Sequence, residues 1–246
     1  MTRIAVIDGV RGGCGATSVC ASLAWALAQR GKSVLALDFS VSNLLRLYFN
    51  HSWEDKDGWA LTLIRTMSVT PINYALKIDY LPFGLLNEGQ EAELKKRLTV
   101  QNSGDDNNKQ KALYFLNESH YDWVVIDASS TPSWLKQWAN SLADFSISLL
   151  NPDPACYLLA KQNAPRRNGF FLINRFSPSF ELQQDICRLW RSELANLIPI
   201  ALHADEALPE ALAVKKPLGE YQPGSMVAHD ADELSEWCLT FGGWER

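Results

Sequence analysis

The feature that most constrains this chain is a glycine-rich segment, GVRGGCGATS, at positions 9–18. It follows the apolar stretch 3–8, which predicts a buried strand, and precedes VCASLAWALAQRG, whose apolar residues on every face predict a buried helix that stops at Gly31. Closely spaced glycines allow successive backbone N–H groups to turn inward, in front of the positive end of the helix dipole. The order strand, glycine-rich turn and helix predicts either an anion site or a tight connection.

Further apolar segments alternate with helical patterns along the chain. Strands are predicted at 33–38, 78–84, 122–127, 144–150, 169–174 and 198–202. Helices are predicted at 43–49, 88–98, 111–119, 133–142, 155–164, 179–195, 205–214 and 225–240. Near-continuous apolar strands that alternate with helices predict an α/β fold with a mostly parallel central sheet and helices on both faces.

Length and composition favour one domain spanning 1–246, since the chain has 246 residues and is 47% hydrophobic. The segment QNSGDDNNKQ, 101–110, has no apolar residue and predicts a flexible surface loop. A net charge of −5 gives no overall attraction for nucleic acid, and we interpret the basic clusters at 95–97 and 166–167 as solvated faces.

The cysteines and the two ends of the chain bear on its location. The five cysteines are an odd number without CxxC spacing, which argues against a disulfide framework and a structural zinc site and predicts a reducing cytoplasm. The apolar run within the first ten residues is too short for the core of a signal peptide. The acidic end ELSEWCLTFGGWER does not predict a membrane anchor, and we expect Trp237 and Trp244 to pack against protein.

Compared with the phosphate-loop pattern G-x-x-x-x-G-K-[ST], the segment keeps Gly15 and Thr17 but has Val10 at the first glycine and Ala16 at the lysine. A missing charge-assisted contact costs about 1.5 to 3 kcal/mol, or about ten- to a hundredfold in affinity. Phosphoryl transfer loses more, because a cation that stabilises the transition state is worth on the order of 10³ to 10⁵ in rate. We therefore expect binding to survive better than hydrolysis.

The string RGGCGATS resembles the deviant loop xKGGxGK[TS]T of the MinD/ParA group of P-loop ATPases. AWALAQRGKSVLALD, YDWVVID, LINRF and KKPLGEYQPGS are similar to other segments of that group, so the resemblance covers nearly the whole chain. Within the group the chain most resembles the BcsQ family of bacterial cellulose-secretion proteins, through GVRGG, NLLRLYF, LPFG, INRF, HADEALPEALAVKKPLGEY and EWCL.

The resemblance assigns roles to individual residues. It implies that Arg11 is the signature cation that reaches the partner's nucleotide, that Asp38 and Asp127 lie near magnesium with Thr17, and that Asn174 binds the adenine edge. The implied catalytic residues are Arg11 and Asp38. The implied nucleotide-binding residues are Arg11, Gly12, Gly13, Cys14, Gly15, Ala16, Thr17, Ser18 and Asn174.

The resemblance also implies a function, cofactors and partners. A relative of this kind binds ATP and Mg²⁺, forms a face-to-face homodimer around two nucleotides, and supports the synthesis and secretion of biofilm cellulose. The implied partners are BcsR, BcsE and the membrane cellulose synthase complex, and the implied location is the cytoplasm, with recruitment to the inner membrane by partners. The group's second acid after the second strand is replaced here by Ser40, which again predicts slow hydrolysis.

Other interpretations stay open at this point. A ParA-type partitioning ATPase would use DNA as its surface, and a scaffold with a degenerate loop would hold no nucleotide. Strand-end acids also cap helices, an asparagine also closes a turn, and Arg11 also fits a surface cation. Cys14, at a helix N-terminus, is either a small filler or a reactive thiol. For Arg46 we favour an ordinary exposed helix cation over a switch residue.

Overall fold

The computed structural model describes residues 2–65, 67–101, 121–162 and 168–240. The predicted loop at 101–110, apart from Gln101, and the predicted helix at 111–119 lie outside the described residues, as do the basic pair at 166–167 and Trp244.

The described strands form one eight-stranded sheet in the order β3-β4-β2-β5-β1-β6-β7-β8. The strands are β1 (Arg3–Gly9), β2 (Val34–Asp38), β3 (Ile72–Ala75), β4 (Ile78–Leu81), β5 (Trp123–Asp127), β6 (Phe145–Leu150), β7 (Gly169–Phe176) and β8 (Leu197–His203). Every neighbouring pair is parallel except β3 with β4, which confirms the predicted mostly parallel sheet. The prediction missed β3, an antiparallel edge strand whose half-exposed residues lack the continuous apolar character of the others.

Helices follow most strands. Those described are α1 (Ala16–Gln29), α2 (Trp59–Ile64), α3 (Glu88–Gln101), α4 (Ser133–Leu142), α5 (Pro154–Gln162), α6 (Glu181–Glu193), α7 (Ala207–Ala213), α8 (Leu218–Tyr221) and α9 (Met226–Thr240). The segment predicted as helix at 43–49 contains a 3₁₀ turn, Leu45–Phe49. The short helices α2 and α8 were not predicted, because neither is long enough to show a helical repeat.

Each face of the sheet carries its own apolar layer. Along β1, Ala5 and Ile7 pack into the layer that contains α1 and α9, whereas Val6 packs into the opposite layer with α2, α3 and α4. Alternate side chains therefore enter opposite cores, which explains why the central strands are apolar throughout. Trp237 packs against Phe145 and Phe170, as predicted for a core-facing residue.

The first helix lies almost wholly inside this core. Ten of its 14 residues are buried, and Gly31 ends the helix with a left-handed φ of 84°, as the sequence predicts. Because α1 is held on most sides, its N-terminus is fixed at the carboxyl end of β1, where the glycine-rich loop joins the two elements. No helix in the described parts of the chain is long and apolar enough to cross a bilayer.

Candidate functional site

The loop between β1 and α1 has the backbone of an anion cradle. Gly13 and Gly15 adopt left-handed φ angles of 79° and 90°, a conformation that disfavours other residues. The backbone N–H groups of Gly12, Gly13 and Gly15 donate to no acceptor among the described residues. A Cβ added at Gly12 or Gly13 would meet no atom within 4 Å, so the space where a side chain would stand at these positions is open.

The loop borders a cavity of about 260 Å³ at the carboxyl ends of the parallel strands. It is lined by Gly9, Arg11, Gly13, Cys14, Gly15, Ala16, Thr17, Ser18, Ser42, Leu44, Tyr48, Ser129, Ser130, Arg175 and Leu212. Six predicted nucleotide-binding residues besides Arg11 are therefore brought together, from Gly13 through Ser18. In open α/β sheets this edge is where ligands bind.

The first turn of α1 presents two hydroxyls, Thr17 and Ser18, but has Ala16 where an ordinary phosphate loop has a lysine. Ala16 is 3% exposed and offers no polar group. The Thr17 Oγ1 lies 3.1 Å from Ser129 Oγ, and the Tyr48 hydroxyl donates to Ser18 Oγ at 2.8 Å. Thr17 thus lies within reach of the strand end that carries Asp127.

Two predicted metal-binding acids lie side by side and fully buried. Asp38 and Asp127 are register partners on β2 and β5. The Asp38 oxygens accept the backbone N–H groups of Ser40 at 2.8 Å and Leu45 at 3.2 Å, while Asp127 Oδ1 accepts that of Ser129 at 2.9 Å. Asp127 Oδ2 has no hydrogen-bond partner among the described residues.

The environment of these acids opposes their negative charge. Burial is the main cause that raises the pKa of Asp38, and the charge of Asp127 raises it further. Burial likewise raises the pKa of Asp127. Two neighbouring buried carboxylates with one free oxygen, beside the Thr17 hydroxyl, are the oxygen donors that Mg²⁺ prefers. The residues present therefore fit a divalent cation held together with an anion in the cradle.

The two residues directly after β2 are fully buried. Ser40 is fully buried, and its Oγ lies 2.6 Å from Ser42 Oγ. Phe39, one residue earlier, is also fully buried and stacks on Trp138 at 5.2 Å between ring centroids. In the described parts of the chain, no carboxylate other than that of Asp38 is hydrogen-bonded to Ser40 in place of the second acid.

Asn174 lies beneath the glycine-rich loop. Its Nδ2 donates to the Cys14 carbonyl at 2.7 Å, and the same atom lies 2.7 Å from where a Gly15 Cβ would stand. Its Oδ1 is buried and has no partner among the described residues. The amide therefore anchors the loop, a contact that the sequence did not predict, and leaves one acceptor free for the predicted adenine contact.

Two cations stand at the cavity. Arg11, 39% exposed in its side chain, pairs with Asp153 at 2.6 Å, and that hydrogen bond raises the pKa of its guanidinium. Arg175 follows Asn174 with a left-handed φ of 57° and lines the cavity. Arg175 was not predicted from the sequence, although its position directly after Asn174 is a signal for it.

Arg46 is buried, and the prediction of an exposed helix cation was wrong. It is 5% exposed, because its guanidinium donates to four backbone carbonyls. These belong to Asn43 at 2.9 Å, Trp53 at 3.0 Å, Asp55 at 2.5 Å, and Ser52. Arg46 therefore fastens the loop at 52–55 to the segment that follows β2.

Comparison with known proteins gives matches over nearly the whole chain. The family model described as "Cellulose biosynthesis protein BcsQ" matches residues 1–239. The protein of that name from Escherichia coli strain K12 is 36% identical over 239 residues, covering 95% of this chain and 92% of its own length. The one from Salmonella typhimurium strain LT2 is 35% identical over 235 residues, with the same coverage of 95% and 92%.

Solved structures share the fold at lower identity. The septum site-determining protein MinD from Pyrococcus horikoshii, complexed with Mg-ADP, superposes with a TM-score of 0.72 at 20% identity, covering 99% of this chain and 98% of that one. A ParA family ATPase from Chlorobium tepidum superposes with a TM-score of 0.69 at 17% identity, covering 95% and 98%. The fold of the MinD/ParA ATPases, predicted from the sequence, is confirmed.

Proposed function

Because the chain belongs to the BcsQ family of cellulose biosynthesis proteins, we propose that it serves cellulose synthesis and secretion as a nucleotide-gated accessory protein. It binds ATP with Mg²⁺, dimerises face to face around the nucleotide, and hydrolyses it slowly. The observation that carries the proposal is the loop of free N–H groups opposite two buried carboxylates, one of which has an unpaired oxygen.

The cradle supplies the phosphate contacts. Backbone N–H groups from Gly12 to Ala16 donate to phosphate oxygens, and the N-terminus of α1 adds its positive dipole. Thr17, Asp38 and Asp127 hold the magnesium ion, which neutralises phosphate charge when bound. The magnesium ion thereby supplies a positive charge next to the buried acids. Among the described residues, no group donates a hydrogen bond to Asp127 Oδ2.

Slow hydrolysis follows from two side chains. Ala16 provides no ammonium group, and Ser40 provides no carboxylate to orient a water molecule.

The two arginines at the cavity act on binding and assembly. Both arginines line the cavity. Arg175 contacts the nucleotide of its own protomer, whereas Arg11 is partly exposed and paired with Asp153, and it reaches a partner's nucleotide once Asp153 releases it.

The cavity face also carries exposed apolar side chains. Val41 is 37% exposed and Leu44, at the cavity wall, is 43% exposed. Both belong to the segment between β2 and the 3₁₀ turn, beside the predicted nucleotide. Their burial in a homodimer would couple assembly to occupancy of the site, since the segment directly follows Asp38, a predicted metal ligand.

Family resemblance supplies the remaining parts of the proposal. The partners are BcsR, BcsE and the membrane cellulose synthase complex, and the protein is cytoplasmic with recruitment to the inner membrane through them. DNA is not a partner, because the chain carries a net charge of −5.

The test measures binding, turnover and mass on one preparation. Purified protein is titrated with Mg²⁺ and ATP, phosphate release is followed, and the molar mass is measured by light scattering with and without nucleotide. We expect binding, a dimer that depends on ATP, and slow phosphate release. Rapid turnover contradicts the slow switch, and DNA binding that weakens steeply with salt would favour the partitioning ATPase.

Gly13→Ala has a matched control in Gly31→Ala. Both glycines have left-handed φ angles, 79° and 84°, so both variants lose about 1 kcal/mol of stability. Only Gly13 lines the cavity. We expect about tenfold weaker ATP binding for Gly13→Ala alone, because its methyl group keeps phosphate from the N–H groups.

A wild-type protein that dimerises equally with and without ATP would favour the nucleotide-free scaffold.

A further inference from the structure

Two cysteines from distant parts of the chain meet behind the glycine-rich loop. Cys14 Sγ lies 3.9 Å from Cys156 Sγ, although the residues are 142 positions apart. Cys14 belongs to the loop, and Cys156 lies in the first turn of α5, where its backbone N–H donates to Asp153 at 2.8 Å. Both thiols are reduced and almost completely buried, with exposed fractions of 2% and 0%.

The two thiols differ in chemistry. The hydrogen bond with Cys156 is the main cause that lowers the pKa of Cys14 to about 6, and the backbone N–H and charge of Arg11 lower it further. The same contact raises the pKa of Cys156. The contact therefore favours the thiolate on Cys14 and the thiol on Cys156.

The other cysteines lack this activation. Burial raises the pKa of Cys20, Cys187 and Cys238. Although it is 2% exposed, Cys14 also lines the cavity of about 260 Å³. Of the five cysteines, Cys14 thus combines a lowered thiol pKa with a place at the cavity.

We propose that Cys14 and Cys156 are a modification site, at which a hydroperoxide converts the two thiols into an intramolecular disulfide. The Cys14 thiolate attacks one peroxide oxygen, the O–O bond breaks, and the departing oxygen takes a proton, which leaves a sulfenic acid on Cys14. The Cys156 sulfur then attacks the Cys14 sulfur. The S–S bond forms, the S–O bond breaks, and the hydroxyl leaves as water with the Cys156 proton. Two electrons pass from the thiols to the peroxide.

The disulfide alters the loop. The sulfur atoms must move from 3.9 Å to about 2.0 Å apart, and the Cys14 backbone, held by Asn174, lies between two left-handed glycines. Closure therefore shifts the neighbouring N–H groups away from their cradle geometry. Resting on the proposed nucleotide function, we expect about tenfold weaker ATP binding in the cross-linked protein.

The test begins without nucleotide. Reduced protein is treated with hydrogen peroxide, remaining thiols are alkylated, and the intact mass and proteolytic peptides are measured. We expect loss of two hydrogen atoms, two thiols protected from alkylation, a peptide joining Cys14 to Cys156, and reversal by dithiothreitol. Cys14→Ser and Cys156→Ser should abolish the joined peptide, and the control Cys187→Ser should retain it.

A different cysteine pair, or overoxidation of Cys14 without a joined peptide, overturns the proposal. Peptide mapping of the wild-type protein decides this even if a variant fails to fold. A second arm repeats the oxidation with saturating Mg²⁺ and ATP, which should slow the cross-link because nucleotide covers Cys14. If the cross-link forms but ATP neither slows it nor binds to the reduced protein, the disulfide stands and the nucleotide function fails.

Discussion

Asp38 and Asp127 stand opposite each other on neighbouring parallel strands, and both are fully buried. Burial raises the pKa of each, and the charge of Asp127 raises that of Asp38 further. Because the site disfavours the negative charge of both acids, the pair adds nothing to the stability of the free protein at neutral pH. The proposed function accounts for it by a cation that arrives with the nucleotide.

The pair should make the stability of the free protein depend on pH. An aspartate whose folded pKa exceeds its unfolded value of about 3.9 binds more protons when folded, so its contribution to stability is lost as pH rises through the raised pKa. In Asp127→Asn, the amide oxygen still accepts the Ser129 N–H. We expect the variant to be about 1 to 3 kcal/mol more stable than wild type at pH 8 and to lose Mg²⁺-dependent ATP binding.

Urea denaturation at pH 5 and pH 8, without nucleotide, measures this. Asp122→Asn is the control, because the backbone N–H of Ser33 lowers the pKa of Asp122 and its contribution is lost as pH falls. It should therefore be destabilising. An Asp127→Asn variant that is less stable than wild type at pH 8 contradicts the account of an uncompensated buried charge.

Asn174 should affect the loop before it affects base recognition. Asn174→Ala removes the donor to the Cys14 carbonyl, so we expect a loss of about 1 to 2 kcal/mol of stability and weaker binding of ATP and GTP alike. Asn174→Asp keeps the acceptor and removes the donor. Fluorescence titration with both nucleotides separates the roles: weakened ATP binding with unchanged GTP binding would point to the adenine contact alone.

The two cations at the cavity should separate binding from assembly. Arg175→Ala is expected to weaken ATP binding about tenfold, because Arg175 lines the cavity and, among the described residues, forms no ion pair that holds it away from a phosphate. Arg11→Ala should leave binding by one protomer nearly unchanged and abolish the ATP-dependent dimer, since Arg11, although it also lines the cavity, is engaged by Asp153. Titration calorimetry and light scattering measure the two effects. Equal losses of binding in both variants would contradict the division of roles.

Arg46 should prove structural. Arg46→Ala removes donors to four backbone carbonyls and is expected to cost about 2 to 4 kcal/mol of unfolding free energy. Arg46→Lys should not restore it, because an ammonium group lacks the planar fork of donors. The exposed Arg188, whose partners among the described residues are Asp185 and Gln184 on its own helix, is the control and should change stability by less than about 0.5 kcal/mol when replaced by alanine.

The sequence predicted the features that repeat or follow from local chemistry. Seven strands, the buried first helix and the stop at Gly31 could be read because apolar continuity and glycine conformation act over a few residues. The edge strand β3 could not, since its pairing with β4 depends on a neighbour and not on its own composition.

The site shows the same division. The glycine-rich loop was predicted from its place between a strand and a helix, and the roles of the strand-end acids were implied by the family resemblance. Contacts between residues far apart in sequence were not, such as Asn174 with the Cys14 carbonyl or Cys14 with Cys156. The burial of Arg46 also escaped prediction, because carbonyls from a following loop satisfy its guanidinium. Tertiary partners decide such cases, and a charge pattern alone does not reveal them.

Restoring the missing lysine tests why hydrolysis should be slow. Ala16 lines the cavity, so Ala16→Lys places an ammonium group beside the phosphates and should tighten ATP binding about ten- to a hundredfold. Ser40 is fully buried two residues from Asp38, so Ser40→Asp alone adds a third carboxylate and should destabilise the free protein. Only the double variant supplies both the cation and the second acid, and we expect phosphate release to rise most in it. If Ala16→Lys alone released phosphate as fast as the double variant, the deficit would lie with the lysine and Ser40 would have no part in it.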